Sequence, residues 1–204
     1  MGEHSGVRVI VFPRRGRLLP RDAGALRREL ASRGVRPVIV RVAASHVEVE
    51  VPEGMVEKAA EEASRLLGSK PLGVYSAYTR RDGWLEAFLS LSRAQRFWEA
   101  HTAAEAGWRL EGVGWAQALA VAAGALAKAQ EGSLEPVGRM AVKASTIAER
   151  AGAPGLVDAR CLEAEAEKAY RGLEAELERC LAIPGSRNGY NPRRTPGQWG
   201  GRDC

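Results

Sequence analysis

The sequence predicts an α+β protein: an N-terminal ferredoxin-like split βαβ domain followed by an all-α helical bundle. Three observations carry this. β-rich and helical stretches alternate as β-α-β-β-α-β over residues 1–79, strand signals nearly vanish after Arg80, and the later stretches are rich in Ala and Glu. With 204 residues, 45% hydrophobic and 27% charged, the chain can bury a core. The predicted units are residues 1–79, a helical bundle over 80–183 and a flexible basic tail over 184–204.

Each element has its own warrant. Val7 to Phe12 is a short β-rich run; Pro20-Arg21-Asp22 opens a helix from Ala23 to Ser32, which Gly34 closes. Val38 to Val42 is a second strand. The segment His46-Val47-Glu48-Val49-Glu50-Val51 alternates strictly, as a half-buried antiparallel partner does, so the two form a hairpin. Pro52 starts a helix from Glu53 to about Leu67, Gly68 ends it, and Leu72 to Tyr78 is the fourth β-rich run. Asp82 then caps a short helix through Leu91, and Ser92 restarts a longer one to about Leu110. Trp115 to Ala129 is a helix of small residues that lets neighbours approach closely, and Leu134 to Arg150 is another. After Pro154-Gly155 a long charged helix spans Leu156 to Leu181, a candidate surface for self-association.

Composition excludes several classes. No run approaches the roughly 18 to 20 apolar residues of a membrane span, so no membrane partner is expected. The first six residues lack a secretory signal, and three cysteines cannot form a complete disulfide framework, so a cytoplasmic protein is expected. No Gly-x-Ser-x-Gly elbow is present. Pro13-Arg14-Arg15-Gly16 lacks the Lys-Ser/Thr pair and the glycines of a phosphate loop. No cofactor is implied.

The net charge is +5, and 25 of the 30 basic residues are Arg. The scarcity of Asn, at positions 188 and 191 only, is compatible with heat adaptation. Between Val7 and Arg36 nine Arg stand against Asp22 and Glu29, which favours a phosphate backbone; Arg14, Arg15, Arg17 and Arg21 form the candidate loop. The tail carries Arg187, Arg193, Arg194 and Arg202 with Tyr190 and Trp199 interleaved, a composition that can contact single-stranded nucleic acid. Against this, Glu48 and Glu50 are expected on the open sheet face, where acid repels phosphate unless Arg8 and Arg41 pair with them.

The least generic segment is Phe97-Trp98-Glu99-Ala100-His101-Thr102-Ala103-Ala104-Glu105-Ala106-Gly107-Trp108. Helical spacing puts Phe97, His101, Glu105 and Trp108 on one face and turns Glu99 to another. Burying an imidazole and a carboxylate costs several kcal/mol (roughly 2–7 for an uncompensated polar group) unless each finds a partner. The pair is therefore expected to look inward, hydrogen-bonded and walled by Trp98 and Trp108.

These residues resemble the signature of domain-of-unknown-function family 309, a helical family. Glu99, Ala100, His101, Glu105 and Trp108 match it, preceded by an aromatic at Trp98 or Phe97. Trp115-Ala116-Gln117-Ala118-Leu119 resembles the family's next helix, and Gly132-Ser133 with Gly138 its following turn, so the likeness covers about residues 84–150. Thr102 stands where the family commonly has Glu, and Lys128 where a second His is expected, so a site built on those two is not copied here. The resemblance implies an all-α domain with a polar cluster between helices, and no activity.

The functional expectation is a non-catalytic binding or interaction module whose cluster comprises Trp98, Glu99, His101, Glu105, Trp108 and Gln117, acting on a protein partner or a second copy. The alternatives are nucleic-acid binding through the arginines, and a metal-dependent hydrolase centred on His101 and Glu105. The last lacks the third and fourth ligands that a firm metal site requires.

Overall fold

A computed structural model of the chain describes residues 7–14, 18–37, 39–76 and 83–183. The expected strand residues Val38, Ala77 and Tyr78, the cap Asp82, the loop residues Arg15 and Arg17 and the whole tail, with Arg193 and Arg194, lie outside the described residues.

The protein is α+β. Four strands, β1 (Val7–Pro13), β2 (Ile39–Val42), β3 (His46–Pro52) and β4 (Gly73–Ser76), form an antiparallel sheet in the order β2-β3-β1-β4. Helices α1 (Ala23–Ser32) and α2 (Val56–Leu67) connect them, each entered through a single 3-10 turn, Pro20–Asp22 and Glu53–Met55. Period-two alternation sends Ile10, Phe12, Val40, Val42, Val47, Val49 and Val51 to one sheet face, where they pack with Leu26, Leu30, Ala59 and Ala63.

The other face carries Val9, Val11, Arg41, His46, Glu48 and Glu50, and it too is buried. The half-buried character expected of β3 is corrected accordingly: Glu48 is 1% exposed because its charge is paired and its face is covered. Arg8 does not join that face. It projects on the α2 side and pairs with Glu53.

Helices α3 (Trp84–Arg93), α4 (Phe97–Glu111), α5 (Ala116–Gln130), α6 (Val137–Arg150) and α7 (Ala159–Tyr170) build the second core. Helix α5 is buried nearly all round, and its alanines let α4, α6 and α7 close on it. The ring of Trp84 lies so near Gly107 of α4 that a Cβ there would sit 2.3 Å from Cδ2, so only glycine fits. No helix among the described residues is long and apolar enough to cross a membrane.

Three helix boundaries differ from expectation, the least of them the start of α6 at Val137, after Pro136, in place of Leu134. Ser92 lies inside α3 and does not open α4; the break comes at Gln95, in the left-handed region with φ 61°. Gln95 is buried and fastened there. Its Nε2 donates to Ala175 O (2.6 Å), its Oε1 accepts from Ala175 N (3.0 Å), and its carbonyl accepts from Gln130 Nε2 (2.9 Å). The long helix expected from Leu156 to Leu181 is also interrupted. Asp158 caps α7 by accepting from Cys161 N (3.0 Å), the helix stops at Tyr170, and a 3-10 turn (Leu177–Cys180) folds back to make a Cys161–Cys180 disulfide. Of the stripe expected to mediate self-association, Leu156, Leu162, Leu177 and Leu181 are consumed in the protein's own core and Leu173 alone stays exposed.

Candidate functional site

The α4 stripe forms at the helix's margin rather than wholly inside. Phe97 is fully buried, whereas the side chains of His101 and Glu105 are 21% and 27% exposed. His101 Nδ1 lies 2.8 Å from the Ala120 carbonyl of α5; since a carbonyl only accepts, Nδ1 carries the proton. Nε2 is thereby turned toward Glu105 Oε2, 3.7 Å away, an ion-pair distance longer than a hydrogen bond. Glu105 also accepts from Arg109 Nη2 at 3.0 Å, and Arg109 lies over the Trp108 ring.

One indole, not two, walls the imidazole: Trp98 stacks on it at 4.9 Å and 15°, one turn earlier on the helix. Gln117 is half-buried in the first turn of α5 and makes no side-chain hydrogen bond among the described residues. Nor do the described residues contain a group of three or more His, Cys, Asp or Glu arranged to hold a metal ion.

Glu99 does face another way, and it leads to the most polar part of the interior. At its centre is Arg41 of β2, fully buried. Arg41 Nη2 donates to Glu50 (2.8 Å) and Nη1 to Glu48 (3.3 Å), its Nε lies 3.4 Å from Glu131 at the end of α5, and its guanidinium sits 5.0 Å from the centre of the Trp98 ring. Lys128 Nζ bonds the other oxygen of Glu131 at 2.6 Å. His46 Nε2 approaches Glu48 at 3.3 Å. Arg96 pairs with Glu99 and lies 4.0 Å over the Tyr75 ring of β4. Strands β2, β3 and β4 are thus joined to α4 and α5 by charge.

The electrostatics follow from this crowding. Burial disfavours the Arg41 charge, but Glu48 and Glu50 outweigh it and hold its pKa above the ordinary value. Burial likewise works against the Glu48 carboxylate, and His46 and Arg41 overcome it, so its pKa falls below the usual carboxylate range. Glu99 goes the other way. Burial and the nearby Glu48 charge push its pKa up, and Arg96 and Arg41 offset this only in part.

The arginines sort into two groups. Arg14 is a clamp: Nη1 reaches the carbonyls of Ala43 (3.1 Å), Ala44 (3.3 Å) and Gly172 (2.5 Å), tying the sheet's loops to the end of α7. Arg33 is paired with Glu29 and Glu62. By contrast Arg21, Arg27, Arg28 and Arg36 are exposed along α1 and its flanks and form no ion pair among the described residues. Spacing alone nominated Arg21 and counted the other three, but which of them lacked an acid could not be read without the neighbouring helix. Glu131 and Gln95 were missed outright because their partners lie tens of residues away, and the disulfide because one continuous helix was expected over both cysteines, which the break after Tyr170 replaces.

Comparison with family models, with curated proteins and with solved structures finds no match.

Proposed function

We propose that this protein is a non-catalytic binding module that takes the phosphate backbone of nucleic acid on the basic face of α1. The observation that carries the reading is the exposure of Arg21, Arg27, Arg28 and Arg36, which form no ion pair among the described residues, where most other arginines are paired and Arg150 and Arg160, far along the chain, are the other exposed ones without an ion pair. Guanidinium groups left free in water suit phosphate oxygens, and neutralising phosphates releases counterions. The acids that argued against a phosphate partner are buried beside Arg41, away from α1.

On this reading the contacts of Trp98 with Arg41, and of Glu99 with Arg96 over Tyr75, brace the helical part to the sheet, while His101, Glu105 and Trp108 make their contacts within the helical part. The β-α-β-β-α-β order with strands arranged β2-β3-β1-β4 supports a ferredoxin-like assignment for the first part. The spacing of Trp98, His101, Glu105 and Trp108 on α4, followed by α5, supports kinship with family 309 over about residues 84–150. The test is equilibrium binding to labelled mixed-sequence RNA and duplex DNA at low salt. Arg27→Glu with Arg28→Glu should abolish binding to both while leaving the circular-dichroism spectrum unchanged; undiminished binding would refute the proposal.

A further inference from the structure

Strands β1 and β3, at the centre of the sheet, are covered on both faces. One side packs on α1 and α2. The other, which an open four-stranded sheet offers to unstacked bases, is buried at Val9, Val11, His46, Glu48 and Glu50. The aromatic residue of β4, Tyr75, has the Arg96 guanidinium over its ring. A nucleic acid held on α1 therefore lies apart from any stacking surface of the sheet. Residues 18–37, which carry the basic face, contain no Phe, Tyr, Trp or His on which successive bases could stack.

The outward surface of α1 presents its charge on two sides. At about 100° per residue, Arg27 and Arg28 leave the helix on either side of a strip formed by Gly24 and Ala31, and Arg21 stands about two turns before Arg28. All four of Gly24, Arg27, Arg28 and Ala31 are exposed, and the strip between the arginines carries no side chain longer than a methyl. Glu29 is turned to the flank beside α2, where Arg33 pairs with it and with Glu62, and Asp22 accepts from the Leu19 amide. A single strand presents one row of phosphates to such a surface. A duplex presents two, together one charge per about 1.7 Å of axis.

We infer, on the phosphate-binding reading above, that the basic face of α1 selects double-stranded over single-stranded nucleic acid and holds the two phosphate rows without reading bases. The experiment is a fluorescence-anisotropy titration of the full chain with labelled probes of nearly equal phosphate number: an AT-rich and a GC-rich DNA duplex and an RNA duplex of about 12 base pairs, and a dT strand of about 24 nucleotides. With four arginine contacts, counterion release of about 0.9 per phosphate in a duplex and about 0.7 in a single strand should make the duplexes about tenfold tighter than dT at about 50 mM salt, the gap closing toward 1 M. The two DNA duplexes should agree within about fivefold, since no base contact separates them. Binding confined to the DNA or to the RNA duplex supports the inference and names the source. A dT strand held as tightly as the duplexes would overturn it while leaving phosphate binding in place, and a loss of that grip in Trp199→Ala would assign the strand to the tail. A difference beyond about fivefold between the DNA duplexes would mean base reading and overturn it too. No binding to any probe would remove the phosphate-binding reading, and this inference with it.

Discussion

The Arg41 guanidinium lies 5.0 Å from the centre of the Trp98 ring, and Trp98 in turn stacks on His101 at 4.9 Å. One indole thus joins a charge buried in the sheet to the imidazole that donates to α5. Cation-π contact of a desolvated guanidinium contributes up to about 2 kcal/mol, and the ring also seals the ion pairs from water.

Arg41 faces two buried carboxylates, so removing it alone leaves them uncompensated. Arg41→Ala should cost about 3–5 kcal/mol in urea unfolding. Adding Glu50→Gln to that variant should restore part of the loss, because one orphaned charge is gone. A loss under about 1 kcal/mol would place the pair in water rather than in the interior.

Glu99 and Glu48 predict opposite pH responses. Glu99 has a folded pKa above the ordinary 4.5, so the native state binds more protons there than the unfolded chain and stability falls as pH rises through that window. Glu99→Gln should gain on the parent from about pH 4.5 upward and level off above the raised pKa. Glu48 has a folded pKa below 4.5, so its contribution is present above that value and lost as pH falls through the lowered pKa. The deficit of Glu48→Gln should therefore shrink in acid. Unfolding curves across the acid range check both signs.

His101 contributes a ring stack and one hydrogen bond to Ala120. His101→Ala should cost about 1–3 kcal/mol, and His101→Phe less, because it keeps the stack on Trp98. Neither change should alter nucleic-acid binding, since His101 is on α4 and the basic face is on α1. Parallel denaturation and binding measurements separate the two effects.

The Cys161–Cys180 disulfide closes a separation of 19 residues and ties the 3-10 turn to α7. Reduction, or the Cys161→Ser, Cys180→Ser pair, should lower stability by about 3 kcal/mol, measured by urea unfolding with and without a dithiol reductant.

Much of the fold was legible because it is written locally. Strand alternation in His46 to Val51, the span of α1 from Ala23 to Ser32 and the Gly68 stop of α2 each depend on neighbours within a few residues. What failed depends on distance. The α3–α4 break rests on Gln95 meeting Ala175, and the end of α7 on a chain that doubles back to Cys161. The cluster was half legible: Arg41 with Glu48 and Glu50 follows from strand pairing, whereas Glu131 joins from another part of the chain. Trp98 and His101 stood out by their rarity. That the imidazole would bond Ala120 and lean on a single indole required the packing angle of α5.

The most direct test of a phosphate-binding α1 is the slope of log Kobs against log salt for duplex DNA, in the parent and in a variant with Arg21, Arg27, Arg28 and Arg36 all changed to Ala. At about 0.9 per neutralised phosphate, losing four contacts should flatten the slope by about 3 to 4 with the fold unchanged. Equal slopes in the two proteins would contradict the account.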